Sequence, residues 1–408
     1  MEFRHTELGN GLRVIAEVNP AAATMAAGFF IRTGSRDETP AIAGVSHFLE
    51  HMMFKGTPGR SAAEVNLEFD RIGAHYNAFT GEEYTVYYAG VLPEFQPRAV
   101  DLLCELMRPA LRQEDFDLEK KVILEEIAMC QDMPKHRLFE ALMAQHFAGH
   151  PLAGSVLGTA ESITALSRDD MAGYLQRRYC PGNMVAVAVG RVDWDGFVAQ
   201  VERLCGGWEA RPAGRATPPP PSGRQRRTLV DRKVVREHVG LLSAAPAYQD
   251  DRRYAAQLLA TVVGDDAGSR LFYALVEPAI ADEAYAAYEP MDQAGAIFTY
   301  LSADPARAAE AVGLAEEVFA RFADEGPTEA ELAAAKNKIA ASATLKGELP
   351  MGRLTAVGFD WTYRGQYEPL REQIEALLAV PGEEVRQVAR AFEVSRMSVL
   401  GLGAAESL

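Results

Sequence analysis

Gly44-Val45-Ser46-His47-Phe48-Leu49-Glu50-His51-Met52-Met53-Phe54 carries two histidines four residues apart in a run with helical apolar spacing. On a helix that separation stacks both imidazoles on one face at the spacing of metal ligands. Glu50, three residues after His47, lies beside that face. A carboxylate there is placed to take a proton from a water made acidic by a metal, as general-base attack on a peptide carbonyl requires. The spacing alone also admits a plainer reading, because a helical histidine pair is more often packing or surface than a ligand set.

A third ligand is expected from Leu118-Glu119-Lys120-Lys121-Val122-Ile123-Leu124-Glu125-Glu126-Ile127. Glu119 and Glu126 are two turns apart and share a helix face, whereas Glu125 points about 100° away. Glu126 reads as the ligand with Glu119 behind it, and Glu125 as a solvated neighbour of Lys121.

Outward from these segments the chain divides into two halves at Arg211 to Arg227, where Pro218-Pro219-Pro220-Pro221 sits among Gly, Ser and Arg and favours an extended linker. The first half opens with a predicted hairpin, Phe3 to Leu8 and Leu12 to Val18 around Asn10-Gly11. A helix is expected over Ala43 to Phe54, then strands at Tyr76 to Thr80 and Tyr84 to Val91. Helices follow at Pro97 to Met107, Glu114 to Asp132 and Arg168 to Arg178, and Met184 to Gly190 closes the half as a buried strand. The second half repeats this order in outline. Strand Val239 to Ala244, helix Asp251 to Val263, strand Ala296 to Ala303 and helices Pro305 to Ala323 and Thr328 to Leu345 lead to a closing strand, Met397 to Gly403. The order implies an internal duplication of an α+β unit of about 200 residues. The second copy offers Arg253-Tyr254-Ala255-Ala256-Gln257-Leu258-Leu259 and Ala341-Ser342 where the first has its metal motif and Glu126, so one half would hold the chemistry.

Bulk properties narrow the class. A chain of 408 residues, 48% hydrophobic, can bury a large core. A formal charge of −16 argues against a general phosphate-binding surface, so nucleic acid is not an expected partner. Met1-Glu2-Phe3-Arg4-His5 lacks the pattern of a leader, and the most apolar run, Ala21 to Ile31, is too short to span a bilayer. A cytoplasmic location without membrane contact is the default expectation. Cys104, Cys130, Cys180 and Cys205 are scattered, with no Cys-Xaa-Xaa-Cys pair, and read as reduced core thiols.

Three separated segments, His47-Phe48-Leu49-Glu50-His51, Glu119 to Glu126, and Gly73-Ala74-His75-Tyr76-Asn77-Ala78-Phe79-Thr80, together resemble the M16 peptidases, the inverzincins. The resemblance extends to Leu157-Gly158-Thr159 and Tyr179-Cys180-Pro181-Gly182-Asn183-Met184, and so to nearly the whole chain. It implies an α+β fold of two homologous domains, each a mainly antiparallel sheet packed with helices. Residues 1–210 would be the zinc-binding catalytic domain, 211–227 the linker and 228–408 the homologous domain without ligands. By the same resemblance His47, His51 and Glu126 hold Zn2+, Glu50 is the catalytic base and Glu119 the supporting carboxylate. Asn77 and Ala78 match a substrate-binding edge strand, on which an extended peptide pairs by main-chain hydrogen bonds. The length is similar to the short subfamily, in which two such subunits close into a hollow chamber, and the implied activity is a zinc endopeptidase cutting peptides or short unfolded polypeptides.

One departure bears on partners. The family's Arg and Tyr, seven residues apart in the second domain, help to hold the substrate carbonyl and its oxyanion and reach the zinc of the opposing subunit. Here Ser269-Arg270-Leu271-Phe272 aligns, the Arg position falls on Val276, and about two residues are added before Tyr285, which takes the Tyr position. The expected partner is therefore a zinc-free homologous subunit supplying the clamp, with a homodimer as the other possibility. A non-hydrolytic zinc-binding scaffold subunit of a larger complex is the alternative function; intact His47, Glu50, His51 and Glu126 argue against it.

Overall fold

Asn10 closes the first hairpin through its own side chain, accepting from the Leu12 amide at 3.2 Å, and sets strands β1 (Glu2–Glu7) and β2 (Arg13–Val18) antiparallel. The computed structural model describes residues 1–221, 224–265 and 267–408, so Ser222 and Gly223 of the Pro-rich stretch lie outside the described residues. Two compact units result, and each gathers segments from both halves of the chain. One comprises Met1–Ala128, Gly154–Ala216 and Thr344–Glu368; the other comprises Met129–Ala153, Thr217–Ala343 and Pro369–Leu408.

In the first unit β3 (Met25–Ile31), β4 (His75–Thr80), β5 (Thr85–Val91) and β6 (Met184–Gly190) join the hairpin in a six-stranded sheet of order β1-β2-β6-β3-β5-β4. Only β2 and β6 pair in parallel. The helices nearest the chemistry are α1 (Val45–Met53) and α2 (Gln113–Gln131). Helix α1 packs on β4, and the helix Gln96–Leu106 packs on β3 and β5.

The second unit repeats this plan. Strands β7 (Arg226–Val230), β8 (Glu237–Ala244), β9 (Ala281–Met291), β10 (Ala294–Ala303) and β11 (Ser398–Gly403) form a sheet of order β9-β10-β8-β11-β7. Among the described residues its single parallel pair is β11 with β7, the counterpart of β6 with β2. The expected duplication is thus present in strand order as well as in sequence order.

Each sheet has one face covered by a helix from the other half of the sequence. Helix α3 (Pro134–His146) buries Leu138 and Leu142 with Phe298, Tyr300 and Leu400 of the second sheet. Helix α4 (Pro350–Arg364) buries Leu354 and Val357 with Ile15, Phe30 and Val187 of the first. The contiguous division at 211–227 therefore differs from the packed units. An amphipathic helix is assigned by where its apolar face is covered, and chain position does not carry that information.

The Pro-rich stretch also differs from a free tether. Its described residues form no regular structure before Arg226, but Arg215 is buried in an ion pair with Asp37 at 2.6 Å, and Arg178 donates to the Gly214 carbonyl at 2.9 Å. In the second unit the Pro218 carbonyl lies 3.1 Å from His150 Nε2. All four cysteines are free thiols; Cys104, Cys180 and Cys205 are buried and Cys130 is half-buried. No helix among the described residues is long and apolar enough to cross a membrane.

Helix α4 is fastened by a buried charge pair. Arg353 Nε donates to Glu17 Oε1 at 3.0 Å, Tyr367 donates to Glu17 Oε2 at 2.7 Å, and both charged side chains are at most 3% exposed. Removing one partner of such a pair leaves an uncompensated buried charge, which costs about 3 kcal/mol or more. Glu17→Gln is expected to lower the urea midpoint accordingly, and the double change Glu17→Leu with Arg353→Met to recover most of the loss. A single-variant midpoint equal to wild type would contradict this account.

Candidate metal centre

The N-terminus of α1 is held by a carboxylate from outside the helix. Glu38 accepts from the Gly44 amide at 2.6 Å and the Ser46 amide at 2.7 Å, meeting donors that a helix start leaves open. Gly44 sits at φ 88°, and a Cβ on it would come within 2.5 Å of the Leu157 carbonyl oxygen. Gly158 answers from the other side: its Cβ would meet the Ala43 carbonyl oxygen at 2.4 Å. The Leu157-Gly158-Thr159 segment is thus the wall against which the start of α1 rests. Ser46 and Thr33 both bond the buried Tyr174 hydroxyl, at 2.6 and 2.7 Å, and Phe48 stacks on Phe116 of α2 with ring centroids 4.7 Å apart.

These contacts bring two helix faces together as a ladder. His47, His51 and Glu126 each offer a ligand atom, and the three atoms lie within 4.8 Å of one another. Glu126 Oε1 is 3.8 Å from His47 Nε2, and its Oε2 is 3.8 Å from His51 Nε2. One turn along, Glu119 Oε1 accepts from His51 Nδ1 at 2.8 Å and Oε2 meets Lys55 Nζ at 2.5 Å. The 3.8 Å separations are too long for hydrogen bonds. They are near the ~3.4 Å between two donors that each lie 2.0–2.1 Å from one tetrahedral ion. Two imidazoles and a carboxylate with an open fourth direction are a donor set that fits zinc.

The electrostatics treat the two imidazoles differently. Burial, and then the charge of His51, push His47 down to about 4, so that at neutral pH it is an uncharged imidazole. Burial also pulls His51 down, but the Glu119 hydrogen bond, with the charges of Glu119, Glu126 and Glu50, outweighs it and leaves His51 raised. Donation from Nδ1 to Glu119 directs the Nε2 lone pair of a neutral His51 toward Glu126. Burial would raise Glu119, yet its bonds to His51 and Lys55 hold it below the ordinary carboxylate range.

Glu50 stands beside the triad. Burial raises its pKa, against the Thr80 hydroxyl, which donates to Glu50 Oε2 at 2.5 Å. Thr80 ends β4, which forms one edge of the sheet, opposite β1. Gly81 N–H donates to the Tyr84 carbonyl, which with the β4–β5 register makes Ala78 and Tyr87 a non-hydrogen-bonded pair. The main-chain groups of Tyr76, Ala78 and Thr80 consequently point away from β5, toward the open edge. Asn77 Oδ1 accepts from the Ala78 amide at 2.9 Å, so both residues singled out from the sequence lie on that edge.

A family model described as insulinase, peptidase family M16, matches residues 13–160, and one described as peptidase M16 inactive domain matches residues 165–339. The chain is 35% identical over 406 residues to a Mycobacterium tuberculosis protein named an uncharacterized zinc protease, covering 98% of this chain and 93% of that protein. It is 32% identical over 389 residues to YmxG of Bacillus subtilis, also named a zinc protease, covering 93% of each. The chain belongs to peptidase family M16. Among solved structures, the peptidase M16 inactive domain from Pseudomonas fluorescens shares the fold with a TM-score of 0.92 at 18% identity, covering 100% of this chain and 99% of that one. A protease from Helicobacter pylori matches with a TM-score of 0.91 at 20% identity, covering 98% and 99%.

The M16 departure in the second unit has a structural form. Phe272–Val276 is a π-helical turn, and β9 carries a register shift between Ala281 and Glu283. A β-bulge takes up one extra residue, and this one falls between Val276 and Tyr285, whereas the π turn ends at Val276. Val276 packs against the apolar core of its unit. Tyr285 is half-buried in β9 with its ring 5.3 Å from that of Tyr300. Arg270 is committed: its Nε and Nη2 reach Glu331 at 2.8 and 2.9 Å, and Nη2 also donates to the Gly326 carbonyl.

The sequence reading missed Thr80 and Lys55. Thr80 ends a segment already quoted, but nothing in its spacing ties it to Glu50. Lys55 carries a signal, since His47, His51 and Lys55 recur every four residues. The purified protein is expected to hold about one zinc per chain. Glu126→Gln or His51→Ala should empty the site and Glu125→Gln should leave it full, measured by metal analysis after dialysis. The reverse pattern for the two glutamates would put the wrong face of α2 at the metal.

Proposed function

We propose that this chain is a zinc-dependent endopeptidase, with His47, His51 and Glu126 as ligands and Glu50 as base. The convergence of the three donor atoms within 4.8 Å, with the half-buried Glu50 carboxylate beside them, carries this reading. Zinc, when bound there, supplies a Lewis acid for the scissile carbonyl and lowers the pKa of a water. The other tasks fall to the chain. Glu50, aimed by Thr80, takes the proton from the attacking water and returns it to the leaving amine. The open edge of β4 at Tyr76, Ala78 and Thr80 pairs with an extended peptide through main-chain groups, which places few demands on its side chains. The zinc protease names of the relatives support the same metal and reaction class.

The proposal extends to assembly. Two M16-type subunits would close a chamber around short or unfolded peptides, and the preferred partner of this chain is a homologue without the zinc motif. Val276 offers no guanidinium, and Arg270 is already paired with Glu331. A homodimer would therefore lack one donor to the oxyanion, a loss typically worth roughly a hundredfold or more in kcat.

Two outcomes follow. Glu50→Gln should keep fold and zinc and lose most turnover of a quenched peptide; activity near wild type would remove Glu50 from the mechanism. The chain alone, shown by light scattering to be free of partners, should be a weak peptidase that a zinc-free homologue bearing the Arg and Tyr activates. Full turnover by the pure chain would sink the missing-donor argument. Zinc without turnover in any combination would favour the scaffold function.

A further inference from the structure

Lys55 lies two residues past the C-terminus of α1, and its amide donates to the Met52 carbonyl at 3.1 Å, closing a tight turn at the helix end. His47, His51 and Lys55 then rise along one face, and α2 interleaves Glu126 between the first two and Glu119 between the last two. Glu119 divides its oxygens between the rungs, one to His51 Nδ1 and one to Lys55 Nζ. Its side chain is 5% exposed, so its charge has little help from water. A His51 that ligates a metal must be neutral, and it then gives Glu119 a hydrogen bond without a counter-charge. Among the described residues Lys55 is the one other cationic group that contacts Glu119.

We propose that Lys55 is a positioning residue of the metal centre: it holds Glu119 in place as the acceptor that orients His51 toward the ion. The inference rests on the zinc-site reading above. A plainer view treats Lys55–Glu119 as a surface ion pair with no bearing on metal, since Lys55 is 33% exposed and such pairs contribute little. The two views differ in sign as well as size. By charge alone, removing an ammonium near a cation site strengthens zinc binding. Loss of an orienting contact weakens it, typically by 10- to 100-fold for groups directly behind a ligand.

The test measures zinc dissociation constants by chelator competition for the wild type, Lys55→Met, Lys55→Gln, Lys55→Arg, Glu119→Gln and the double variant Lys55→Met with Glu119→Gln. Helix content and melting temperature of the zinc-free proteins serve as the folding control. Lys55→Met and Lys55→Gln are expected to weaken zinc binding about tenfold, with Lys55→Arg restoring most of the loss. In the Glu119→Gln background Lys55→Met should add nothing further, because Lys55 acts only through that carboxylate. Unchanged or tighter binding in both neutral variants would overturn the proposal, as would a full extra loss in the double variant. If one neutral variant does not fold, the other decides by the same criterion. A wild type that binds no zinc would instead remove the metal-centre reading itself and Lys55 with it.

Discussion

The interleaving of α1 with α2 is the constraint on which the rest of the site depends. Two carboxylates of α2 must enter between two histidines of α1 and the Lys55 that follows it, and a shift of one residue in either helix would turn a rung by about 100° and empty it. The surrounding structure serves that registration. Glu38 closes the start of α1, Gly44 and Gly158 let the Leu157 segment lie against it, and Phe48 stacked on Phe116 ties the two helices together. None of these contacts uses a ligand atom, and an ion bound to the folded site would stabilise the chain through linkage.

The second unit shows what the same architecture becomes without that constraint. Its sheet keeps the strand order and the one parallel pair, but its counterpart of α1, Arg253–Gly264, buries Ala255, Leu258, Leu259 and Val263 and brings no ligand. The backbone of this unit also carries a π turn at Phe272–Val276 and a bulge at the start of β9. Neither irregularity disturbs the pairing of Tyr285 with Tyr300 farther along β9.

Most of the ladder was legible in the sequence because helical geometry is local. Spacings of four and seven residues place His47 with His51 and Glu119 with Glu126, and separate Glu125 from them. The hairpin and the closing strands of both halves were legible for the same reason. Strand β3 was not: Met25-Ala26-Ala27-Gly28-Phe29-Phe30-Ile31 is buried on both faces at the centre of the sheet, so it lacks the alternation that marks a half-exposed strand. The assignment of α3 and α4 to packed units, the burial of Arg215 against Asp37, and the Thr80 bond to Glu50 join residues far apart in the chain. Periodicity carries no information about such pairs. Tertiary packing decides them.

The edge strand brings structure and proposed chemistry to one place. An open edge is a hazard, because its unpaired amides and carbonyls can recruit another chain. On β4 the protection is slight: Asn77 caps the Ala78 amide with its own side chain, a contact that an incoming strand can replace without breaking the sheet. The same strand ends in Thr80, whose hydroxyl holds Glu50. A peptide pairing along this edge would thus fix the segment that also aims the base, so substrate alignment and base alignment would be one mechanical event. That coupling gives a physical reason for leaving this edge uncovered, and for the base to answer to β4 as well as to its own helix.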